Sequence, residues 1–367
     1  MTPKEIFSTE QYDGKSSVRS WIKQLSEKYG KSFKHLEGAY YRFYKHKALA
    51  EEVEKVGIPI ENVGHYWHKG QHFSIFTKTD KDPSYFDIRD EIVESMKSAA
   101  PSYTVPVLQS QSDPHLLVVD PADIHIGKLA RAIETGEEYN TKIAVDRVLE
   151  GLSGLLNKAS GFNIDRVLLV IGNDILHTDN HSRSTTKGTP QDTDGMWYDN
   201  FRTAKDLYIK VIETLMYVSP VNIMYNPSNH DFVNGFFLAD TLSSWFSNVH
   251  SVKFDVSPSH RKYYVYGKNL IGGTHGDGAK EADLPLLMAN EASEFWHDCP
   301  HRYFYTHHIH HKRSREIGSV TIESLRSPSG ADSYHHRYGY QHNAKAVEAF
   351  IHHPKFGQVA RLTHIFS

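Results

Sequence analysis

The chain contains five short clusters of the side chains that divalent cations commonly use as ligands. In order, they are Asp123-Ile124-His125, Asp174-Ile175-Leu176-His177, Asn229-His230-Asp231, Thr274-His275 and His308-Ile309-His310. Histidine is also abundant, with 25 residues in a chain of 367. Any single cluster is more simply a buried, hydrogen-bonded polar group, but all five in this order are hard to obtain by chance. Together they predict a site for two metal ions.

The spacing inside the clusters indicates which side chains act together. In an extended backbone, residues two apart project from the same face, so Asp123 and His125 would face one ion. The same alternation would place His308 and His310 side by side. Asp174 follows a strand and could lie between two ions, although taken alone it is more simply a cap for the next turn.

The cluster Asn229-His230-Asp231 is the most specific of the five. An amide oxygen such as that of Asn229 completes the shell of an ion without adding charge, and His230 would face the substrate. Asp231 would orient that histidine. Two cations held in this way can clamp a phosphate and neutralise the charge that develops during in-line attack. The chemistry predicted from these residues is therefore the hydrolysis of a phosphate ester, with His230 as the acid.

Each cluster follows an apolar run that has the length of a buried strand. The predicted strands are Leu116–Val119, Val167–Ile171, Val221–Tyr225, Lys262–Tyr266, Leu270–Thr274 and Tyr303–Tyr305, and the predicted helices between them are Ile143–Leu156 and Phe201–Val218. The order βαβαβ followed by mostly β predicts a mixed α/β domain with its site at the carboxyl ends of the strands. The polar segment Thr178–Gly195 is predicted to be a long functional or oligomer-contacting loop.

From about His115 to Ser367, these motifs resemble the calcineurin-like metallophosphoesterases. That family has the pattern Asp-x-His, Gly-Asp, Gly-Asn-His-Asp/Glu, a lone His and Gly-His-x-His. The form of the second motif, with Asp174 and His177, is most similar to bacteriophage-encoded members and to SbcD-type DNA-repair nucleases. The Asp-Arg-Gly that usually follows this motif in protein Ser/Thr phosphatases is missing. The resemblance implies a β-sandwich flanked by helices, in α/β/β/α order.

The resemblance also implies a role for each motif residue. One ion would be held by Asp123, His125, Asp174 and His310, and the other by Asp174, Asn229, His275 and His308, so that Asp174 is the bridge. His230 would lie over the scissile phosphate with Asp231 behind it, and His177 would handle the substrate. The two divalent ions would be Mn²⁺, with Fe, Zn²⁺ or Mg²⁺ as the alternatives.

Three positions depart from the family pattern. Asn173 and Ser228 stand where glycines usually ease a tight turn, and Thr306-His307 precedes the His-x-His. A short polar residue can adopt such a turn at some cost, so the ligands are expected to stay in place. His307 and His311 flank the last motif and would allow a shifted register. Beyond it, Asp332, His335 and His336 could reach the site, but a structural role in the closing strands is the favoured interpretation.

The first hundred residues have a different character. Helices are predicted at Ser16–Lys28, from Ser32 to Lys47 and at Ala48–Val56, followed by an extended region at Val63–Lys78 and a further helix at Asp87–Lys97. Helix-turn-helix followed by a hairpin is the outline of a winged-helix module. The expected domains are therefore 1–98, mainly helical and winged-helix-like, a linker at 99–114, and the metallophosphoesterase domain at 115–367.

The predicted second helix carries basic side chains that could follow a phosphate backbone, among them Lys34, Arg42 and Lys45. A solvated helical face explains the same residues equally well. The formal net charge of −3 gives no overall basic field, so any contact with nucleic acid must be local.

These features lead to three hypotheses about function. The leading one is a nuclease, either an exonuclease or an endonuclease, that cleaves phosphodiester bonds in DNA. The alternatives are a phosphatase or phosphodiesterase for proteins or small nucleotides, and a DNA-binding regulator with an inactive metal domain. The single cysteine, Cys299, and the lack of an apolar run long enough for a membrane span favour the cytoplasm without membrane attachment. A homo-oligomer is compatible with the sequence.

Overall fold

The computed structural model describes residues 2–10, 12, 14, 16–54, 65–69, 74–78, 90, 100–101, 103, 112–340 and 343–366. The chain divides into two compact units, Met1–Arg89 and Asp90–Ser367. Except for Asp90, the predicted helix at Asp87–Lys97 lies outside the described residues, as does most of the predicted linker at 99–114. Within the described residues, no helix has both the length and the apolar character needed to span a bilayer.

The first unit consists of helices followed by a hairpin: α1 (Pro3–Thr9), α2 (Val18–Tyr29), α3 (Phe33–Glu54), β1 (His65–Lys69) and β2 (Ser74–Lys78). The helix α1 begins with a capping box, in which the Thr2 hydroxyl accepts from the Glu5 N–H and the Glu5 carboxylate accepts from the Thr2 N–H. Gly30 ends α2 in the left-handed conformation. A small aromatic core holds the helices together, with Phe7, Trp21 and Tyr40 in mutual ring contact.

The predicted break between a second and a third helix is wrong, because α3 runs without interruption from Phe33 to Glu54. The stretch Ala48-Leu-Ala-Glu-Glu-Val-Glu54 has high helix propensity, and neither glycine nor proline separates it from the preceding turns. Extending an existing helix is easier than nucleating a new one, so the helix continues.

The second unit contains the remaining elements. They are β3 (His115–Asp120), α4 (Ala132–Thr135), α5 (Thr141–Ala159), β4 (Ile164–Gly172), α6 (Trp197–Met216), β5 (Val221–Asn226), α7 (Phe232–Trp245), β6 (Val252–Asp255), β7 (Lys262–Tyr266), β8 (Asn269–Gly273), α8 (Leu284–Glu291), α9 (Ser293–Trp296), β9 (His301–Thr306), β10 (Arg313–Ile317), β11 (Val320–Ser324), α10 (Ser333–Tyr338), β12 (Ala346–His353) and β13 (Gly357–Ile365).

The strands of this unit form two mixed sheets. One has six strands in the order β13-β12-β3-β4-β5-β6, and the other has five in the order β10-β11-β9-β8-β7. In the first sheet β3, β4, β5 and β6 are mutually parallel, and in the second β8, β9 and β11 are. The α/β fold with two sheets and flanking helices that the sequence implied is thereby confirmed.

The side chains of β3 show how the layers are built. Leu117 and Val119 pack in the large core with α5, α6 and α7, whereas Leu116 and Val118 pack between the two sheets with Ile271 of β8. All six residues of the strand are buried, which is why the four between His115 and Asp120 are continuously apolar rather than alternating. On the other face of the second sheet, α8 contributes Leu284 and Met288 to a third core.

Several elements were not predicted. The helix α7 is apolar nearly all round, so it lacks the amphipathic period by which a surface helix is recognised. The strand β12 is buried along its whole length yet carries Glu348, His352 and His353, which interrupt its apolar pattern. Glu348 is paired there with Arg326 and Arg361.

His352 lies fully buried between the sheets. Its Nδ1–H donates to Asn269 Oδ1 at 3.2 Å, and its Nε2 lies 2.9 Å from the Tyr305 hydroxyl, which is also 3.0 Å from Gln358 Oε1. Burial lowers the pKa of His352 to about 3. In the unfolded chain the pKa would be about 6.5. Between about pH 3 and about pH 6.5, His352 therefore carries a proton in the unfolded chain but not in the folded chain.

We expect the free energy of unfolding to decrease as the pH falls from about 6.5 towards about 3, by up to about 1.4 kcal/mol per pH unit from this group. His352→Gln keeps a donor and an acceptor but cannot titrate, so this part of the acid sensitivity should disappear. Urea denaturation of both proteins across the window measures the difference. Parallel pH profiles would show that His352 does not carry the effect.

Candidate metal centre

The loops that follow β3, β4 and β5 are joined by backbone hydrogen bonds at one edge of the first sheet. The Asp123 N–H donates to the Asn173 carbonyl at 2.7 Å, the His125 N–H to the Asp174 carbonyl at 3.0 Å, and the Asn173 N–H to the Asn226 carbonyl at 3.0 Å. The loop after β9 joins the one after β8, because the His307 N–H donates to the His275 carbonyl at 2.8 Å. All five predicted clusters therefore meet at the carboxyl ends of parallel strands.

The backbone at the clusters is not extended, and this part of the prediction is wrong. Six residues have positive φ: Asp123 (52°), His125 (52°), Asn173 (53°), Asp174 (60°), His308 (70°) and His310 (56°). In Asp123-Ile124-His125 and in His308-Ile309-His310, the first and third residues are left-handed, and this directs both side chains of each motif into the site. Strand alternation would have had the same result. Each such residue is strained relative to ordinary backbone, so the surrounding loops must hold it there.

The first group of converging ligands consists of Asp123, His125 and His310, whose ligand atoms lie within 4.8 Å of one another. His310 Nε2 is 3.4 Å from Asp123 Oδ1 and 3.3 Å from His125 Nε2. Asp123 is completely buried, and its Oδ1 is without a hydrogen-bond donor among the described residues. A buried carboxylate oxygen that faces two imidazoles and lacks a donor is suited to a cation.

The second group consists of Asp174, His275 and His308. His275 Nε2 lies 3.1 Å from Asp174 Oδ2 and 3.0 Å from Asn229 Oδ1, so the predicted amide ligand is in the same place. Asp174 Oδ2 is also 4.0 Å from His125 Nε2 of the first group. The Asp174 carboxylate thus lies between the two groups, where a bridging ligand would have to be.

At most of the ligands the charges favour the forms that bind cations. The exception is His275, where burial would lower the pKa but the adjacent Asp174 carboxylate outweighs burial and raises the pKa of this imidazole to about 9, so a cation would have to displace its proton. Burial lowers the pKa of His125 far below the usual range and also lowers the pKa values of His308 and His310, which keeps these imidazoles neutral. Burial would raise the pKa of Asp174, but the adjacent His275 and His230 outweigh it, and the net pKa is depressed. Neutral imidazoles and an ionised carboxylate are the states in which these side chains act as ligands.

His230 and His177 lie next to the first group. Their rings stack at 5.3 Å with 20° between the planes, and His177 Nδ1 is 3.3 Å from His125 Nδ1. His230 Nδ1 is 2.9 Å from the His177 carbonyl oxygen. Since a carbonyl can only accept, Nδ1 carries the proton, and Nε2 of His230 is left for another partner. Burial lowers the pKa of His177 well below the usual range.

Asp231 does not orient His230, contrary to the prediction. Its carboxylate accepts from the Ser228 hydroxyl at 2.7 Å and from the Leu176 N–H at 2.8 Å, and it is fully buried. The His177 carbonyl holds the His230 ring instead. Asp231 therefore ties the third loop to the second and positions Asn229 and His230 through the backbone.

The departures from the family pattern each have a structural explanation. The turn is Gly172-Asn173-Asp174, and a Cβ on Gly172 would come within 2.0 Å of the Asn226 carbonyl oxygen, so glycine is required one position earlier. Asparagine tolerates the left-handed conformation that Asn173 adopts. The Ser228 hydroxyl accepts from the Asp174 N–H at 2.7 Å while it donates to Asp231, which fixes the bridging residue.

The two histidines that flank the last motif lie apart from the ligand groups. His307 is buried, with Nε2 3.3 Å from Asp120 Oδ2. His311 is exposed, and its Nδ1 bonds the Ile309 carbonyl at 2.8 Å. The register that places His308 and His310 in the site is the one that the structure adopts.

A cavity of about 840 Å³ opens onto the ligand groups. One wall is the predicted functional loop, which contributes Lys187, Thr189 and Pro190. Another wall includes Asp332 and His335, for which the sequence favours a structural role over one at the site. The His335 ring stacks on that of His310 at 5.0 Å, a contact for which the sequence contains no signal.

The predicted nucleic-acid-binding residues belong to the first unit. Lys34 is exposed near the start of α3. Arg42 and Lys45 are on the same helix, but their side chains lie outside the described part of the structure. A role for these three residues in binding DNA stays a prediction.

Comparisons with known proteins identify relatives at the level of solved structures only. No protein-family model matches the sequence, and no curated protein matches it. An archaeal phosphodiesterase aligns with 69% of this chain and 99% of its own, at 9% identity and a TM-score of 0.32. Vps29 from Chaetomium thermophilum aligns with 69% of this chain and 98% of its own, at 13% identity and a TM-score of 0.32.

A predicted phosphoesterase from Streptococcus pneumoniae aligns with 70% of this chain and 99% of its own, at 11% identity and a TM-score of 0.25. Identities and TM-scores this low assign no activity to the chain. Its function has to be inferred from the geometry of its own residues.

Proposed function

We propose that this protein is a hydrolase of phosphate esters that uses two divalent cations. The observation that carries the proposal is the position of the Asp174 carboxylate, 3.1 Å from His275 of one ligand group and 4.0 Å from His125 of the other. The first ion would be held by Asp123, His125, Asp174 and His310. The second would be held by Asp174, Asn229, His275 and His308. Mn²⁺ suits such a mixture of imidazole, carboxylate and amide ligands, as do Fe and Zn²⁺.

When bound, a pair of cations supplies charge neutralisation at the phosphate and an activated water for in-line attack. The protein's own contribution is to hold the ligands and to protonate the leaving oxygen. His230 could supply that proton from Nε2 in its doubly protonated form, because its Nδ1–H stays donated to the His177 carbonyl and Nε2 is free of that contact. His177 stacks on His230 and restricts the position of its ring.

The proposal is tested by assaying the full-length chain with bis-p-nitrophenyl phosphate and p-nitrophenyl phosphate, after chelation and after addition of Mn²⁺, Zn²⁺ or Mg²⁺. We expect no hydrolysis in the chelated protein and recovery with at least one of these ions. Preference for the diester would support a phosphodiesterase, and preference for the monoester would support the phosphatase alternative. Hydrolysis that persists after complete chelation would contradict a metal-dependent mechanism.

We further propose that the natural substrate is a phosphodiester in nucleic acid, most simply DNA. The cavity is large enough for a nucleotide, and the first unit carries an exposed lysine, Lys34, on a helix with other basic residues. An exonuclease and an endonuclease are equally compatible with this site.

The contribution of the first unit is tested by reversing charges in the full-length chain. We expect the triple variant Lys34→Glu, Arg42→Glu, Lys45→Glu to cleave long DNA more slowly, most strongly at moderate salt, because each lost contact with phosphate reduces counterion release. Hydrolysis of bis-p-nitrophenyl phosphate should be unchanged. Unaltered DNA cleavage at all salt concentrations would identify these residues as a solvated helical face.

A further inference from the structure

Three tyrosines beside the metal cavity expose more than half of their surface to solvent. Tyr334, Tyr338 and Tyr340 expose 61%, 55% and 56% of their surface. Their rings form a continuous row, with centroids 4.7 Å apart between Tyr334 and Tyr338 and 6.3 Å apart between Tyr338 and Tyr340. A contiguous patch of exposed aromatic rings usually marks an interaction surface rather than a stabilising contact.

The row starts at the metal cavity. Tyr334 and Tyr340 both line it, together with His308 and His310. Tyr338 contacts both tyrosines without lining the cavity itself. Any molecule that lies across the three rings would therefore extend into the space above the ligand groups.

Contacts of Asp332 and His335 fix the position of α10 relative to the metal ligands. Asp332 caps the helix by accepting from the His335 N–H at 3.0 Å, and its other oxygen is 2.9 Å from Nζ of Lys128, which is 1% exposed. His335, on the same helix, stacks on the metal ligand His310. The tyrosines are thus presented by a helix anchored to the site rather than by a free loop.

The charge around the row favours an anionic partner. Arg337 lies 5.8 Å from the centre of the Tyr338 ring, and the segment Ser333–Tyr340 contains no acidic residue. The cavity beside the row is lined by Lys187 but also by Asp174, Asp192, Asp277 and Asp332, so the attraction for an anion comes from the row itself and not from the cavity wall. Aromatic rings interspersed with cations are the usual surface for nucleic acid, in which bases stack on the rings and phosphates are attracted by the charges.

We propose that Tyr334, Tyr338 and Tyr340 form a stacking platform for successive bases of a single-stranded nucleic acid, which places a phosphodiester of that strand at the metal cavity. This inference rests on the proposed phosphoesterase function and adds the form of the substrate. Bases in a duplex already stack on each other and cannot lie on protein rings, whereas those of a single strand can. A row of three rings also exceeds what one nucleotide base can cover.

The platform is tested by fluorescence anisotropy with the full-length chain in the presence of a chelator, so that binding is measured without cleavage. The probes are a short labelled oligothymidylate and an abasic strand with the same number of phosphates. We expect Tyr338→Leu to weaken binding of the oligothymidylate by about tenfold or more, because base stacking on an aromatic side chain is typically worth ~1–3 kcal/mol. Tyr338→Phe, which keeps the ring, should bind like the wild type.

Tyr217→Leu is the matched control, because Tyr217 is 74% exposed on the same unit but does not line the cavity. It should not alter binding, and thermal unfolding should show that all variants are folded. The abasic strand should bind more weakly than the oligothymidylate and should be insensitive to Tyr338→Leu.

Three results would overturn the platform: equal affinity for the abasic strand, tighter binding of duplex than of single strand, or no effect of Tyr338→Leu. Displacement of the strand by thymidine monophosphate at equal base concentration would identify a mononucleotide site and would also overturn it. These outcomes are independent of the proposed function. If the wild-type chain binds as expected but hydrolyses no bis-p-nitrophenyl phosphate with any metal, the phosphoesterase fails and the platform stands.

Discussion

Asp174→Asn should reduce kcat/KM for bis-p-nitrophenyl phosphate at least about a hundredfold, since even residues that only support metal ligands cost 10–100-fold when replaced. Asp174 lies between both ligand groups, so one substitution weakens the sites of both ions. The fold should be retained, because the amide oxygen of asparagine can still accept from the His230 N–H, as Asp174 Oδ1 does at 2.9 Å. Steady-state kinetics, elemental analysis and thermal unfolding measure the three effects.

Asp146→Asn is the matched control for this substitution. Asp146 is exposed on α5, and among the residues that the structure describes its ion pair is with Lys142, four positions earlier on the same helix. An exposed pair of this kind contributes little, so the control should keep wild-type activity and metal content. If Asp174→Asn retains near-wild-type turnover with both metals bound, the assignment of Asp174 as the bridge is wrong.

The second large effect is expected for His230→Ala, which should slow cleavage of DNA by about 10²-fold or more while both metals stay bound. His230 lies next to the first ligand group. Its Nδ1 is occupied by the His177 carbonyl, so Nε2 is the atom that can give a proton to the leaving oxygen. An alkoxide needs this proton, but p-nitrophenolate leaves readily without it. The variant should therefore be impaired much less on bis-p-nitrophenyl phosphate than on DNA.

His177→Ala gives the comparison for this prediction. It removes the ring that stacks on His230 but leaves the carbonyl that holds Nδ1, so its effect on DNA cleavage should be smaller. Equal losses on both substrates for His230→Ala would argue against an acid role. Loss of a metal ion from that variant, seen by elemental analysis, would place His230 among the ligands.

The strands that position the site could be predicted, because a strand that is buried on both faces has a run of consecutive apolar residues. Strands such as β3 and β4 contain continuous apolar runs, Leu116–Val119 and Val167–Ile171, and polar ligand residues follow each run. The amphipathic helix α5 was equally visible, with Val148, Leu152 and Leu155 on its buried face. In contrast, α7 is apolar on most faces and has no period to detect.

The geometry inside the site was less accessible to sequence reasoning. The types of the ligands are fixed by their chemistry, but the left-handed backbone of Asp123, His125 and Asp174 depends on loop-to-loop hydrogen bonds between distant segments. For the same reason Asp231 was assigned to the wrong partner. Its neighbours in space, Ser228 and Leu176, come from two different loops.

The wall formed by α10 could be predicted only in part, because the sequence allows Asp332 and His335 to reach the site but favours a structural role for them. His335 reaches His310 only because a buried lysine, Lys128, pairs with Asp332 across the site. Neither spacing nor periodicity indicates the contact between Lys128 and Asp332, which are about two hundred positions apart in sequence. The three tyrosines were likewise unremarked in a chain with 21 of them, because only exposure beside the cavity distinguishes them.

Electron paramagnetic resonance of the full-length chain titrated with Mn²⁺ tests the two-metal claim most directly. If Asp174 bridges two ions held ~3.5–4 Å apart, as in other two-metal sites, the bound Mn²⁺ ions should be magnetically coupled, with two bound per chain at saturation. In Asp174→Asn the coupled signal should be lost. One uncoupled Mn²⁺ per chain in the wild-type protein would contradict the account.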